Sequence, residues 1–133
     1  MAYAVTTKVS VDQTATEIER MVMQRKAANY AKFSSIDSAA IAFEMQDRRV
    51  LFRLPLPKTL SDQQRRSKWR GLMLCIKAKF ESIESGIETF EDAFLSHIVT
   101  PNGLTVGEQT RPAIAALYKG EPMQALLPAP RKA

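Results

Sequence analysis

The chain holds one cysteine, one histidine, one tryptophan and five scattered glycines in 133 residues. One cysteine, Cys75, closes no intramolecular disulfide and builds no thiolate cluster, so disulfide-stapled scaffolds and cysteine-rich zinc modules are excluded. One histidine, His97, excludes His-pair metal sites and leaves a Ser-His-Asp arrangement resting on a single residue. No glycine sits between a strand pattern and a following helix with the spacing of a phosphate-cradling loop. No apolar run approaches the ~20 residues that cross a bilayer. The Met1–Thr7 start lacks the charged and apolar regions of a signal peptide. These absences lead us to expect a cytoplasmic protein with no membrane partner, no cofactor, no metal and no catalytic constellation.

The composition that remains is ordinary for a globular domain, with 45% apolar and 25% charged residues. The length suits one domain, 1–120, followed by a proline-containing tail, 121–133. Nineteen Lys and Arg against fourteen Asp and Glu give a net charge of +5. The excess is local. From Lys58 to Lys79 seven basic residues face one acid, Asp62, a net +6; from Phe80 to Val99 five acids stand without a lysine or arginine, a net −5. Two readings of this polarity compete. The acidic and basic faces pair with each other or are merely solvated, or the basic cluster follows the phosphates of a nucleic acid.

Periodicity divides the chain into halves, 1–57 and 58–120. Tyr3, Val5, Thr7, Val9 and Val11 share one parity and predict a strand. Thr14-Ala15-Thr16-Glu17 has the form of a capping box and predicts a helix over about Gln13 to Ala28. Tyr30–Phe33 is too short to assign alone. Ile41, Phe43 and Met45 share a face, as do Val50, Phe52 and Leu54, which predicts a hairpin turning at Asp47-Arg48 with Arg49 and Arg53 outward. Pro55 and Pro57 end the sheet.

Ser61 and Gln64 form a second capping box, opening a helix whose core stripe is Trp69, Leu72, Met73, Ile76, Phe80, Ile83 and Ile87. The stripe continues through Phe90, Phe94 and Ile98, so the run is one kinked helix or two helices meeting at Gly86. Cys75 is expected to be buried and inert there, and His97 to sit at the core edge. Thr105-Val106-Gly107-Glu108 caps a short last helix, interrupted by Pro112 and stopped by Gly120. The expected fold is α+β: a small, mainly antiparallel β-α-β-β sheet packed against a long helix or helical hairpin, then a short C-terminal helix and an extended tail.

Some of these motifs are familiar. Thr7-Lys8-Val9-Ser10-Val11 leading into Glu17-Ile18-Glu19, Trp69-Arg70 with Leu72, Ile76-Lys77-Ala78-Lys79, Gly86-Ile87 with Thr89, Phe94-Leu95 and Thr105-Val106-Gly107-Glu108 form one pattern across the chain. That pattern resembles a family of short uncharacterised proteins of tailed bacteriophages and prophages. The resemblance implies a viral protein made in the cytoplasm of a bacterial host, where DNA processing and interference with host defence are common tasks. It transfers no catalytic residue.

The acids Glu81, Glu84, Glu88 and Glu91 recur at helical steps and predict a column, which more often marks a solvated face than a two-metal site. Trp69 belongs to the apolar stripe and is read as core before it is read as a base-stacking platform. The residues expected to contact nucleic acid are Arg49, Arg53, Arg65, Arg66, Lys68, Arg70 and Lys77. The expected function is therefore non-enzymatic binding of nucleic acid in phage DNA metabolism or protection. Two alternatives stand beside it. One is an anti-defence inhibitor docking on a host bacterial protein through Glu81, Glu84, Glu88 and Glu91; the other is a homo-oligomer formed along the near-heptad seam from Ile76 to Ile98.

Overall fold

A computed structural model describes residues 6–122, 125 and 127. The start of the expected N-terminal strand, 1–5, and most of the tail, including Leu126, Pro128, Pro130, Arg131 and Lys132, lie outside the described residues.

The order is α1 (Val11–Gln24), β1 (Asn29–Ser34), β2 (Ser38–Met45), β3 (Arg48–Pro55), α2 (Asp62–Glu84), α3 (Phe90–Phe94), a 3-10 turn over Leu95–His97 and α4 (Val106–Tyr118). The fold is mixed helix and sheet, as expected, but among the described residues the first element is α1 rather than a strand. Ser10 caps α1 by accepting from the Gln13 N–H, so Val11 enters the first helical turn. The alternation read as a strand is overridden by this cap, and among the described residues no strand pairs with 6–10. The expected capping box at Thr14 fails for the same reason. Thr14 lies inside α1, fully buried, and its hydroxyl has no hydrogen-bond partner.

Helix α1 ends without a glycine. Lys26 takes φ +68, its N–H donates to the Met23 carbonyl, and the Ala27 N–H reaches the Val22 carbonyl. This is the double closure that a left-handed residue normally provides through glycine. Tyr30 then ties β1 to α1 by donating to the Ala15 carbonyl at 3.2 Å, and burial pushes its phenol pKa up to about 12.

The sheet is antiparallel in the order β1-β2-β3. The β2–β3 hairpin turns at Gln46-Asp47, both with positive φ (51° and 60°), and Met45 pairs with Arg48. The turn therefore sits one residue before the expected Asp47-Arg48. It is a two-residue primed turn, whose twist matches the strands even without the usual Asn-Gly. The inner face carries Ala39, Ile41, Phe43, Met45, Val50 and Phe52, all buried. Against it lie Ile18 and Val22 of α1, then Trp69, Leu72, Met73, Ile76 and Phe80 of α2. Phe94 makes the hub of the aromatic packing, 5.7 Å from Phe43, 5.3 Å from Phe80 and 5.1 Å from Phe90.

The long stripe is broken at Gly86, which takes φ +75. The Gly86 N–H bonds the Ile83 carbonyl and the Ile87 N–H bonds the Ser82 carbonyl, closing α2. The chain turns, Thr89 caps α3, and Phe90 and Phe94 return to the same core. Ile87 is left 78% exposed, so the stripe does not pass through it. The proposed seam is thus folded on itself, with Ile76, Phe80, Phe90, Phe94 and Ile98 already buried within one chain. Cys75 is exposed rather than buried. Consecutive apolar residues in a helix point ~100° apart, so Leu74, Cys75 and Ile76 cannot all face one core.

Candidate nucleic-acid interface

The seven predicted contacts do not form one array. At ~100° per residue, Lys68 and Arg70 project from α2 about 200° apart, and the partners differ accordingly. Arg70 faces α1 and donates from Nη1 to Glu17 Oε2 at 2.7 Å. Lys77 is exposed and lines the groove between the two helices with Arg20 and Met21. Arg66 is held by Gln63 Oε1 at 2.8 Å, with its Nε buried and unpartnered. Arg65 reaches the Pro57 carbonyl at 3.3 Å, and Lys68 is exposed on the flank away from α1.

Arg49 and Arg53 both point outward from β3 onto the outer face of the sheet, as expected, about 13 Å apart along the strand. Register sets that face out in rows. Phe33 pairs with Ala40 and Ala40 with Arg53; Ala31 pairs with Ala42 and Ala42 with Leu51; Asn29 pairs with Glu44 and Glu44 with Arg49. Helices α1, α2 and α3 pack on the opposite face and α4 meets this one only at Arg53, so these outward residues are exposed or half-buried, and Phe33 is 57% exposed. Two residues along a strand cover ~6.6 Å and adjacent strands lie ~4.8 Å apart. A flat patch about two nucleotides across is therefore framed by Phe33 on one strand and by Arg49 and Arg53 on another, over a floor of alanines.

Beyond β3 the patch gains a wall. Val50 bridges to Ile98, and the Val99 N–H donates to the Arg49 carbonyl at 2.8 Å, which adds Val99 to the edge. Pro101-Asn102-Gly103 then turns back, with Gly103 at φ +86, and Thr105 caps α4 through the predicted box with Glu108. Glu108 also reaches across to Arg53, accepting from Nε at 3.0 Å and Nη2 at 3.4 Å. The Thr105 backbone N–H first, and Arg53 second, hold the Glu108 carboxyl below the usual carboxylate range.

The acidic residues are not a column, because α2 stops at Glu84. Glu84 pairs with Arg25 at 2.7 Å, Glu91 pairs with Arg48 at 2.8 Å, and Glu88 accepts from the Ser82 hydroxyl. Glu81 stays exposed on α2. Among the described residues no group of three His, Cys, Asp or Glu could hold a metal ion. His97 lies half-buried, stacked on Phe52 at 3.9 Å, and burial followed by Lys79 lowers its pKa. Trp69 is packed in the core with Lys32 over its ring at 5.3 Å.

Sequence reasoning found Arg49 and Arg53 but missed Asn29, Ala31, Phe33, Ala40, Ala42 and Glu44. The signal was present in the Ala39-Ala40-Ile41-Ala42-Phe43-Glu44 alternation, whose outward parity is small or polar. No helix among the described residues is long and apolar enough to cross a membrane. Compared with protein-family models, curated proteins and solved structures, the chain matches none.

Proposed function

We propose that the protein binds single-stranded nucleic acid, without chemistry of its own, on the outer face of its sheet. The observation that carries this reading is the Phe33–Ala40–Arg53 row on the face opposite α1 and α2. An exposed phenyl ring stacks a base, alanine leaves room for a base to lie flat, and a guanidinium follows the phosphates; stacking contributes ~1–3 kcal/mol per base. A three-stranded face with an exposed ring suits splayed bases better than a duplex groove. The resemblance to short phage proteins fits a place in phage DNA metabolism or protection.

The test is fluorescence anisotropy of labelled dT10 across a salt series. Binding should weaken with salt, with a log–log slope no steeper than about −1.4, the ~0.7 per single-strand phosphate contact of Arg49 and Arg53. Phe33→Ala should weaken it about 5- to 150-fold, the range of one lost stacking contact. Lys68→Ala, on the far flank of α2, should change it little. Absence of binding at low salt, or a larger loss from Lys68→Ala than from Phe33→Ala, overturns the proposal.

A further inference from the structure

At the hairpin end of the same face lies an open depression of about 410 Å³, lined by Glu44, Asp47, Arg49, Val99, Thr100 and the Pro101–Gly103 turn. Its volume falls in the usual range for small-ligand sites. Glu44 and Arg49 are direct cross-strand partners, yet no ion pair joins them. Opposite charges placed this way on neighbouring strands normally meet. Here a carboxylate and a guanidinium stand side by side, with no side-chain partner among the described residues, at the mouth of a pocket continuous with the stacking face.

We infer that this depression is a nucleobase pocket selective for guanine. The inference rests on the sheet face being a nucleic-acid surface. A carboxylate accepts two parallel N–H bonds, and guanine alone among the common bases offers two adjacent ring-edge donors, N1–H and N2–H. A guanidinium donates two parallel bonds, and guanine offers O6 and N7 as adjacent acceptors, the pairing arginine makes most often with a base. Adenine and thymine leave both side chains half satisfied and cytosine leaves the carboxylate so, and each forfeits charge-assisted bonds that guanine makes. The register of β2 and β3 sets the two residues directly opposite each other, which places both side chains within reach of one base.

The experiment uses dT10 carrying one central dG, dA or deoxyinosine, measured by anisotropy against wild type and Glu44→Gln. The dG oligomer should bind wild type roughly 5- to 150-fold tighter than the dA oligomer, the range that one bidentate base contact supplies. Inosine lacks only the N2 amino group, so it should lose part of that gain. Glu44→Gln presents one acceptor instead of two; it should bring the ratio of dG to dA affinity, taken within the variant, close to one. If dT10 binds but dG and dA bind alike, the pocket is overturned and the face reading survives. If the preference persists in Glu44→Gln, the pocket is again overturned. If no oligomer binds, both readings fall.

Discussion

Of the two arginines on the outer face, Arg53 is the one the fold already neutralises, and Glu108→Gln removes that neutralisation. Glu108 has two roles that this substitution separates. Its Oε1 accepts from the Thr105 backbone N–H at 2.9 Å, closing the cap of α4, while both carboxylate oxygens accept from Arg53. Glutamine keeps the first role, since Gln64 closes the equivalent box at Ser61 with a 2.8 Å bond. The ion pair is open to solvent, with side chains 51% and 29% exposed, so its loss should cost only ~0–1 kcal/mol of stability. The same quantity no longer has to be spent when Arg53 turns to a phosphate, which corresponds to a gain in affinity of up to about fivefold. Each added phosphate contact on a single strand should also steepen the salt slope by ~0.7. Anisotropy of dT10 over a salt series measures both effects. Mild acid should not mimic the variant in the wild type, because the depressed Glu108 pKa keeps the carboxylate ionised as pH falls through the ordinary range. An unchanged slope with unchanged affinity would refute the placement of Arg53 on the binding path.

Thr14→Val should stabilise the protein by ~1–3 kcal/mol in urea unfolding, since it replaces a fully buried, unpartnered hydroxyl with a methyl group of like shape; a loss of stability would show that the hydroxyl is satisfied after all. Lys26→Gly should add about 1 kcal/mol or less and Gly86→Ala should remove about 1 kcal/mol, because both positions require a left-handed backbone (φ +68 and +75). Equal signs for the two variants, read as unfolding midpoints, would contradict that account. His97 has a folded pKa below its unfolded value through burial and then Lys79, so the unfolded chain takes up the proton first. Stability should therefore be constant above pH ~6.5 and fall as the solution is acidified through the folded pKa. His97→Gln should flatten that part of the urea-midpoint profile.

The helices were legible where capping and periodicity agreed. Ser61 with Gln64 and Thr105 with Glu108 both close as read, and Gly86 breaks the stripe. The β2–β3 pair was legible because its inner parity is apolar throughout and, apart from Ala39, large. What was lost were boundaries set by non-standard residues. Lys26 ends α1 without glycine, and Gln46-Asp47 makes a primed turn without Asn-Gly, because closing hydrogen bonds and strand twist outweigh the cost of a left-handed side-chain-bearing residue. The candidate site was half legible. Charge counting marked Arg49 and Arg53, but it also marked α2, whose cations diverge around the helix and are partly used to hold the fold: Arg70 by Glu17, Arg65 by the Pro57 carbonyl. No count along a chain reports that divergence; the ~100° step does.

The floor of the sheet supplies the last argument. Ala31, Ala40 and Ala42 occupy outward positions in strands, although alanine is depleted there and β-branched residues are favoured on a half-exposed pleated face. Stability alone would place threonine or valine at such positions. Ala42→Thr, at the centre of the floor between Ala31 and Leu51, should therefore raise stability by up to ~1 kcal/mol, the span of measured strand preferences. It should at the same time weaken dT10 binding, because a branched side chain lifts a base off the surface that alanine leaves clear. Gain in one property and loss in the other is the signature of residues kept for function at the expense of folding. Urea unfolding and anisotropy on the same variant separate the cases. If Ala42→Thr binds dT10 as tightly as the wild type, the alanine floor has no part in binding and the outer face is merely a solvated one.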